Sequence, residues 1–320
     1  MFAATVSGAV ERMNKAIVVG SINRDVVAYV AHHPRPGETV ITSRGALFPG
    51  GKGVNQAVAI ARSGGNVSFV GRIGNDGFGQ DMQSFLTAEG IDISNIAVVE
   101  GAITGLGLIT VDADGQNAIT VLSGANQYWG DAVAMPAANA GDCIVCQLEV
   151  PLAVVALAFE HGRTCGARTV LNAAPFQPLR ADLLAATDIL IVNELELTAL
   201  SGLKCSLAPV DFGHLNSLTG EVLSRGPDLL VVTLGATGCF VHERGATGVF
   251  IPGLPVAAID TTGAGDCFVG TLIAELLMGR ATIAAARFAN AAAALSVTRE
   301  GAASSLPSRH EVEQFLAAPA

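Results

Sequence analysis

Short apolar runs alternate with amphipathic segments along most of the 320-residue chain. The runs at 16–20, 169–172 and 189–192 are mostly apolar, and polar residues follow each of them. Such runs are typical of parallel strands that are covered on both faces. Segments with apolar residues three and four positions apart, such as 268–277, instead predict helices. The pattern predicts an α/β fold, in which helices flank a mostly parallel central sheet.

Two segments break this alternation. Residues 26–47 and 104–122 have short alternating apolar and polar stretches, polar turns and no helical pattern, which predicts antiparallel strands. We expect them to form a small lid sheet beside a ligand pocket, inserted into one domain at 15–320, with a disordered extension at 1–14. Because the edges of such a sheet carry unpaired backbone groups, we also expect a homodimer formed through the lid.

Polar residues and glycines recur after the predicted strands. These positions are Asn23, Asp25, Glu149, Asn172, Asn193, Glu196, Gly235 and Gly238. The carboxyl ends of parallel strands meet at one edge of a sheet, where open α/β sheets bind ligands, so we expect one shared cleft. Individually the positions have simpler interpretations, because Asn23 and Asp25 could form an Asx turn and Glu196 could belong to an acidic first helical turn.

The segment 256–267, VAAIDTTGAGDC, is the strongest candidate for chemistry. A glycine-rich turn ends at Asp266, where a predicted helix begins. The first N–H groups of a helix have no intrahelical partner, and the small residues Gly263, Ala264 and Gly265 leave them accessible to an anion. A carboxylate beside a bound phosphate fits a general base that takes the proton of the attacking group. By itself, the segment could also be only a capped helix start.

A second glycine-rich segment, 49–55 (PGGKGVN), also precedes a predicted helix. Its backbone N–H groups at Gly51 and Lys52 and the amide of Asn55 suit hydroxyl groups as well as anions. The segment is not a P-loop, because the G-x-x-x-x-G-K-[ST] spacing is absent and Val54 replaces the magnesium-binding hydroxyl.

Charge and composition narrow the choice of ligand. The formal net charge of −10 argues against nucleic acid and anionic membranes, which are bound through clustered Lys and Arg. It is compatible with ATP, whose phosphates can be held by magnesium, a few cations and backbone amides. Cys143 and Cys146 should point to opposite faces of a strand, which favours buried thiols over a zinc or redox pair. With no secretory signal and no apolar run of about 18 residues, we expect a cytoplasmic protein.

The segments 50–57 (GGKGVNQA) and 260–266 (DTTGAGD) resemble, in the same order, the two signature regions of ribokinase-like (PfkB) carbohydrate kinases. The resemblance extends from about residue 17 to residue 307. It implies a Rossmann-like α/β domain with a β-sheet lid that transfers the γ-phosphate of ATP to a sugar hydroxymethyl group. Ribose is the expected acceptor, with deoxyribose, fructose, 2-keto-3-deoxygluconate or a nucleoside as alternatives. A non-catalytic sugar or nucleotide sensor on the same fold is a further alternative.

The resemblance also implies roles for individual residues. Asp266 is the expected general base, and the N–H groups of Gly263, Ala264 and Gly265 form the expected anion hole. The expected sugar-binding residues are Asn23, Asp25, Gly51, Lys52, Asn55, Glu149 and Asp266. The expected nucleotide-binding residues are Asn193, Thr233, Gly235, Gly238 and Asn290. The expected metal sites are Asn193 and Glu196 for water-mediated Mg²⁺, and Asp260, Thr262, Ser296, Arg299, Gly301 and Ser305 for an activating K⁺.

Three positions in the predicted lid bear on the sugar. Gly107, Ile109 and Val121 are small or aliphatic, which is compatible with ribose without being diagnostic of it. They could equally be ordinary strand-packing positions.

Overall fold

A computed structural model describes residues 13–130, 133–202 and 211–318. Most of the predicted extension at 1–14 lies outside these ranges. Its last two residues are exposed and lead into the first strand. Among the described residues, no helix combines the length and apolarity needed to span a membrane.

Strands and helices alternate through most of the described chain. The strands are β1 (Lys15–Val19), β2 (Asn23–Tyr29), β3 (Gly45–Gly50), β4 (Asn66–Gly74), β5 (Asp92–Val99), β6 (Gly105–Val111), β7 (Asn117–Leu122), β8 (Cys143–Cys146), β9 (Arg168–Asn172), β10 (Ile189–Asn193), β11 (Leu229–Thr233), β12 (Gly238–Glu243) and β13 (Val249–Pro252). The α-helices are α1 (Lys52–Arg62), α2 (Gly77–Ala88), α3 (Leu152–Cys165), α4 (Ala181–Ala185), α5 (Glu194–Ser201), α6 (Phe212–Leu223), α7 (Ala264–Leu277), α8 (Thr282–Ser296) and α9 (Arg309–Ala317).

The main sheet has the order β13-β12-β11-β10-β9-β8-β1-β4-β5. Its strands pair in parallel except for β11 with β12 and β12 with β13. From β1, the chain builds the sheet first towards β4 and β5 and later, from β8, in the opposite direction. This reversal creates a switch point beside β1, where open α/β sheets bind ligands. The predicted fold class, a mostly parallel sheet flanked by helices, is confirmed.

Successive residues of β1 enter different hydrophobic cores. Ala16 and Val18 pack into the core that includes α1, α7 and α8. Ile17 and Val19 pack into the core that includes α3, α5 and α6. A strand covered on both faces has no solvent-exposed side, which explains why its sequence is continuously apolar rather than alternating.

The two cysteines of β8 follow the same alternation. Cys143 belongs to the first core and Cys146 to the second, as expected for residues three apart in a strand. Both are buried free thiols. Burial raises the pKa of Cys143 to about 11 and also raises the pKa of Cys146. Both thiols therefore stay protonated and serve as packing residues.

The second sheet has the order β3-β2-β6-β7 and forms the lid. The β2–β3 and β6–β7 hairpins are antiparallel, as predicted for these segments. The central pair, β2 with β6, is parallel. The two hairpins come from separate parts of the chain and meet side by side, and no local pattern indicates the direction of such a pairing.

Two side chains, the buried Asn126 and the partly buried Asp76, fasten the lid to the main domain. The Asn126 amide accepts a hydrogen bond from the Ile22 N–H (2.9 Å) and donates to the Ile22 carbonyl oxygen (3.1 Å) and to Asn23 Oδ1 (2.8 Å). The Asp76 carboxylate accepts from the N–H and the hydroxyl of Thr104, at 2.8 and 2.7 Å. Both contacts lie where the lid strands leave the main domain, so they fix the position of the lid over the cleft.

Candidate active site

Asp266 lies in the first turn of α7 and is only 6 % exposed. The helix follows Gly263, whose φ of 76° lies in the left-handed region that glycine adopts without strain. The Ala264 N–H makes a long hydrogen bond of 3.3 Å to the Thr261 carbonyl oxygen, whereas the Gly265 N–H makes none with the described backbone. The turn can therefore offer backbone donors to an anion beside the carboxylate.

The second glycine-rich segment packs directly against this turn. Helix α1 follows Gly51, which has a φ of 90° and where a Cβ would lie only 2.9 Å from the Asn23 nitrogen. Asn55 Nδ2 donates to Asp266 Oδ2 and Gln56 Nε2 donates to Asp266 Oδ1, both at 2.9 Å. Segments separated by 211 residues in sequence thus form one site.

Charged groups of opposite sign meet beside Asp266. Glu149 accepts hydrogen bonds from the Ser21 hydroxyl (2.6 Å) and the Lys52 N–H (3.0 Å). The negative charge of Asp266 raises the pKa of the Lys52 ammonium, with smaller contributions from Glu149 and Glu196. Burial, followed by repulsion from Glu149, raises the pKa of Asp25 to about 7. The site therefore combines a permanently charged lysine with a carboxyl group that titrates near neutrality.

A cavity of about 160 Å³ lies between the lid and the loops that precede α7 and follow α8. Its lining includes Asp25, Val27, Tyr29, Phe48, Ile109, Val111, Asp260, Thr262 and Gly301. Of the three lid positions considered from the sequence, Ile109 belongs to this wall. Gly107 adjoins Asp25, since a Cβ there would lie 2.3 Å from Asp25 Oδ1. Val121 is 48 % exposed and lies outside the wall.

Two further cavities are lined by residues at the start of α7. The nearer one, of about 130 Å³, is lined by Lys52, Asn172, Asn193, Glu196, Thr233, Gly263, Gly265 and Asp266, among others. The farther one, of about 390 Å³, has a mostly apolar lining that includes Thr233, Gly235, Gly238, Leu254, Gly265, Phe268, Asn290 and Val297. Because Thr233 and Gly265 line both, the two cavities adjoin. The Asn290 amide also donates to the Pro252 carbonyl oxygen (2.8 Å), which anchors the end of β13.

Asn193 and Glu196 form a capping box at the start of α5. The Asn193 side chain accepts from the Glu196 N–H, and the Glu196 side chain accepts from the Asn193 N–H, both at 2.8 Å. Glu196 thus does belong to an acidic first helical turn, which was the simpler interpretation of the sequence. Glu196 is nevertheless buried and lines the 130 Å³ cavity. Burial raises the pKa of its carboxyl group, against the opposing effects of the Asn193 N–H and Lys52.

The residues expected around K⁺ lie on the loop that precedes α7, at the last residue of α8 and on the loop that follows α8. Asp260 accepts from the N–H groups of Thr262 and Gly301, both at 2.9 Å, and so ties the loops together. The hydroxyls of Ser296 and Ser305 donate to nearby carbonyl oxygens, and the Arg299 side chain forms an ion pair with Glu311 (2.7 Å). No cluster of three or more His, Cys, Asp or Glu suited to a metal ion occurs within the described ranges.

Asn172, at the end of β9, lines the 130 Å³ cavity. Sequence reasoning missed two residues that the fold brings to the site. Gln56 contacts Asp266 directly, and Asn126 holds Asn23. A signal for Gln56 existed, because a polar residue directly after Asn55 interrupts an otherwise apolar helix. Its partner could not be identified, because the hydrogen bond spans 210 residues.

A buried carboxylate at a helix N-terminus lines a small cavity that adjoins a larger apolar cleft, and a further cavity lies under the lid. This arrangement fits a group-transfer enzyme with two substrates. The sequence matches the family described as pfkB family carbohydrate kinase over residues 13–309. The chain therefore belongs to the pfkB family of carbohydrate kinases, and it is a sugar kinase.

Individual relatives support this assignment. The chain is 39 % identical to a ribokinase of Haemophilus influenzae over 302 residues, covering 93 % of this chain and 97 % of the relative. It is 32 % identical to a deoxyribokinase of Salmonella typhimurium, covering 93 % of this chain and 97 % of that protein. The structure of Arabidopsis thaliana ribokinase complexed with ribose and ATP superposes with a TM-score of 0.87 at 28 % identity, covering 96 % of this chain and all of that one (100 %).

Proposed function

We propose that this chain is an ATP-dependent ribokinase, which converts D-ribose and ATP to D-ribose 5-phosphate and ADP. The observation that carries the proposal is the position of Asp266, which is buried in the first turn of α7 and lines the 130 Å³ cavity that adjoins the 390 Å³ cleft. Ribokinase relatives match nearly the whole chain, and ribose and ATP are the ligands of the Arabidopsis relative.

Asp266 is the proposed general base. Its carboxylate takes the proton of the ribose 5-hydroxyl as that oxygen attacks the γ-phosphorus. The N–H groups of Gly263, Ala264 and Gly265 stabilise the charge on the transferred phosphoryl group, with Gly265 better placed than Ala264, whose N–H already bonds Thr261. The buried environment strengthens these interactions because water is excluded from them.

The acceptor sugar is proposed to bind in the lid cavity. Asp25 and Glu149 accept hydrogen bonds from sugar hydroxyls, while Asn23, Gly51, Lys52 and Asn55 supply donors. Support comes from Asn55, whose buried Oδ1 lacks a partner among the described residues and can accept one further hydrogen bond. A sugar hydroxyl satisfies it and removes the cost of an unpaired buried carbonyl.

ATP is proposed to lie along the two adjoining cavities. The 390 Å³ cleft is large and apolar enough for an adenosine group beside Thr233, Gly235, Gly238 and Asn290. The phosphates then pass Asn193 and Lys52 towards Gly265. Lys52 retains its positive charge next to them because Asp266 raises its pKa.

Mg²⁺ and K⁺ are proposed as the metal ions. Glu196 uses only Oε2 in the helix cap, which leaves Oε1 for a water ligand of Mg²⁺, and Mg²⁺ neutralises charge on the phosphates. The loop residues Asp260, Thr262, Ser296, Arg299, Gly301 and Ser305 offer carboxylate, carbonyl and hydroxyl oxygens. Such all-oxygen donor sets suit a hard cation such as K⁺.

We further propose a cytoplasmic homodimer that binds neither nucleic acid nor membranes. The free cysteines of the described residues fit a reducing compartment. The net charge of −10 disfavours binding to polyanions. All six residues of the lid edge strand β7 are exposed, so this edge can be covered by a second copy.

The decisive experiment is an ADP-release assay across a panel of ribose, 2-deoxyribose, fructose, 2-keto-3-deoxygluconate and nucleosides, with the phosphorylated product identified by NMR. We expect ribose to give the highest kcat/KM. A preference for 2-deoxyribose is the main alternative, because a deoxyribokinase is 32 % identical over the same length. Binding of sugar and nucleotide without turnover of any acceptor would instead indicate a sensor.

Replacing the base tests the mechanism separately. We expect Asp266→Asn to lower kcat by at least about 10²-fold, because an amide cannot accept the proton. Calorimetry should show that ribose and ATP still bind with affinities close to those of the wild type. Near-normal kcat in this variant would rule out the general-base role whichever sugar is preferred.

A further inference from the structure

A chain of buried carboxamides leads from the core to Asp266. Gln147 Nε2 donates to Gln56 Oε1 at 2.7 Å, and Gln56 Nε2 donates to Asp266 Oδ1 at 2.9 Å. The second hydrogen of the Gln56 amide goes to Asn172 Oδ1 at 3.0 Å. Gln56 and Gln147 are both 0 % exposed. Gln56 lines none of the three cavities, so it reaches the substrates only through Asp266.

The Asp266 carboxylate fixes the direction in which the hydrogen bonds of these carboxamides run. An ionised Asp266 only accepts hydrogen bonds, so the Gln56 amide must turn its nitrogen towards it. The Gln56 oxygen then faces Gln147, which in turn must present its own nitrogen. Asn172 reinforces the order, because its Nδ2 donates to the Ile191 carbonyl oxygen (3.1 Å) and its oxygen is left to accept from Gln56.

Gln147, the carboxamide farthest from Asp266, lowers the stability of the protein. Gln147 Oε1 is buried without a partner among the described residues, and it packs against Gly20, where a Cβ would lie only 2.3 Å from it. A methionine of similar size would bury no unpaired oxygen at this position. A glutamine at this position is explained if its amide nitrogen holds Gln56 in the orientation that the active site needs.

We propose that Gln56 is a positioning residue that, backed by Gln147 and Asn172, fixes the rotation of the Asp266 carboxylate. This inference rests on the proposed role of Asp266 as general base. Asn55 and Gln56 each donate to a different oxygen of the carboxylate, so loss of the Gln56 contact leaves one oxygen unheld.

The test compares Gln56→Met and Gln147→Met with the wild type. Gln56→Met should lower kcat about tenfold, because the carboxylate is no longer held in the orientation that faces the attacking hydroxyl. The KM values for sugar and ATP should change less than about twofold, because Gln56 contacts neither ligand. Gln147→Met should lower kcat in the same way but less.

Thr271→Val is the matched control. It removes a buried hydrogen bond of 3.2 Å between Thr271 of α7 and Ser63 at the end of α1, the same two helices, without reaching Asp266. The control should lower Tm and leave kcat unchanged. An unchanged kcat in Gln56→Met would overturn the proposal. If that variant does not fold, an unchanged kcat in Gln147→Met overturns it equally. If Asp266→Asn keeps a near-normal kcat, the general-base role itself is wrong, whatever the result for Gln56→Met.

Discussion

At the scale of single residues, the properties of each carboxyl group in the site depend on its burial and its neighbours. Asp25 lines the lid cavity and Asp266 lines the 130 Å³ cavity, and their surroundings differ. Asp266 receives two amide hydrogen bonds. Asp25 is raised to a pKa of about 7 by burial and by the charge of Glu149. Two carboxyl groups in one cleft can therefore take different roles, one accepting a proton and one binding hydroxyls.

The raised pKa of Asp25 predicts a specific dependence of stability on pH. Because the pKa of Asp25 in the folded protein lies above its ordinary value of 3.8, folding favours the protonated form. Its stabilising effect is full below about pH 4 and is lost as the pH rises through about 7. We expect Asp25→Asn to raise the free energy of unfolding at pH 8 by about 2–3 kcal/mol relative to the wild type, and this gain to vanish near pH 4.

Urea unfolding of both proteins across this pH range measures the difference. Asp114→Asn, at an exposed carboxylate in the β6–β7 turn, is the control from the same lid. It should follow the wild-type curve at every pH. A gain for Asp25→Asn that is equally large at pH 4 and pH 8 would show that the effect is not linked to a proton.

At the scale of elements, the start of α7 combines a left-handed backbone position, at Gly263, with the proposed catalytic groups. Gly263→Ala should lower the free energy of unfolding by about 1–2 kcal/mol, because its φ of 76° is unfavourable for alanine. The new Cβ would also lie 3.1 Å from Ala302. We expect kcat to fall as well, because the N–H groups of the turn would rotate away from the phosphoryl group. Urea unfolding and steady-state kinetics report the two effects.

Gly265→Ala is the matched comparison two residues later. A Cβ at Gly265 meets no atom within 4 Å, and the residue is helical. Stability should rise by about 0.5–1 kcal/mol, as for glycine to alanine in a helix. The methyl group would project into the nucleotide cleft, so KM for ATP should rise. Equal stability losses in both variants would contradict the assigned backbone geometry.

The same elements show what sequence reasoning can reach. The turn before Asp266 and the apolar strands were predictable because glycine spacing and apolar runs are local signals. The parallel pairing of β2 with β6 and the contact of Gln56 with Asp266 were not, because each joins distant segments. The individual ligand roles of the site residues remain predictions. A helix cap can also account for residues that were predicted to bind a ligand. Asn193 and Glu196 form such a cap and are also proposed to act at the nucleotide and Mg²⁺.

At the scale of the whole molecule, the site forms where the two sheets meet. The main domain supplies the carboxyl ends of its strands and the starts of α1 and α7, and the lid covers the 160 Å³ cavity. An acidic chain can still bind phosphates, because Lys52 and helix N-termini provide local positive potential at this junction. The net charge of −10 is therefore compatible with the binding of ATP.

We expect the protein to dimerise through the outer face of the lid, which is the face turned away from the lid cavity. Leu47 and Leu108 lie opposite Val26 on neighbouring strands and are 49 % and 43 % exposed, beside the open edge of β7. We expect light scattering to find a dimer, and Leu47→Lys/Leu108→Lys to be monomeric because paired lysines cannot be buried in an apolar contact. Leu157→Lys, at a leucine of α3 that is 46 % exposed, should remain dimeric. A monomeric wild type, or dissociation by the α3 variant alone, would exclude assembly through the lid.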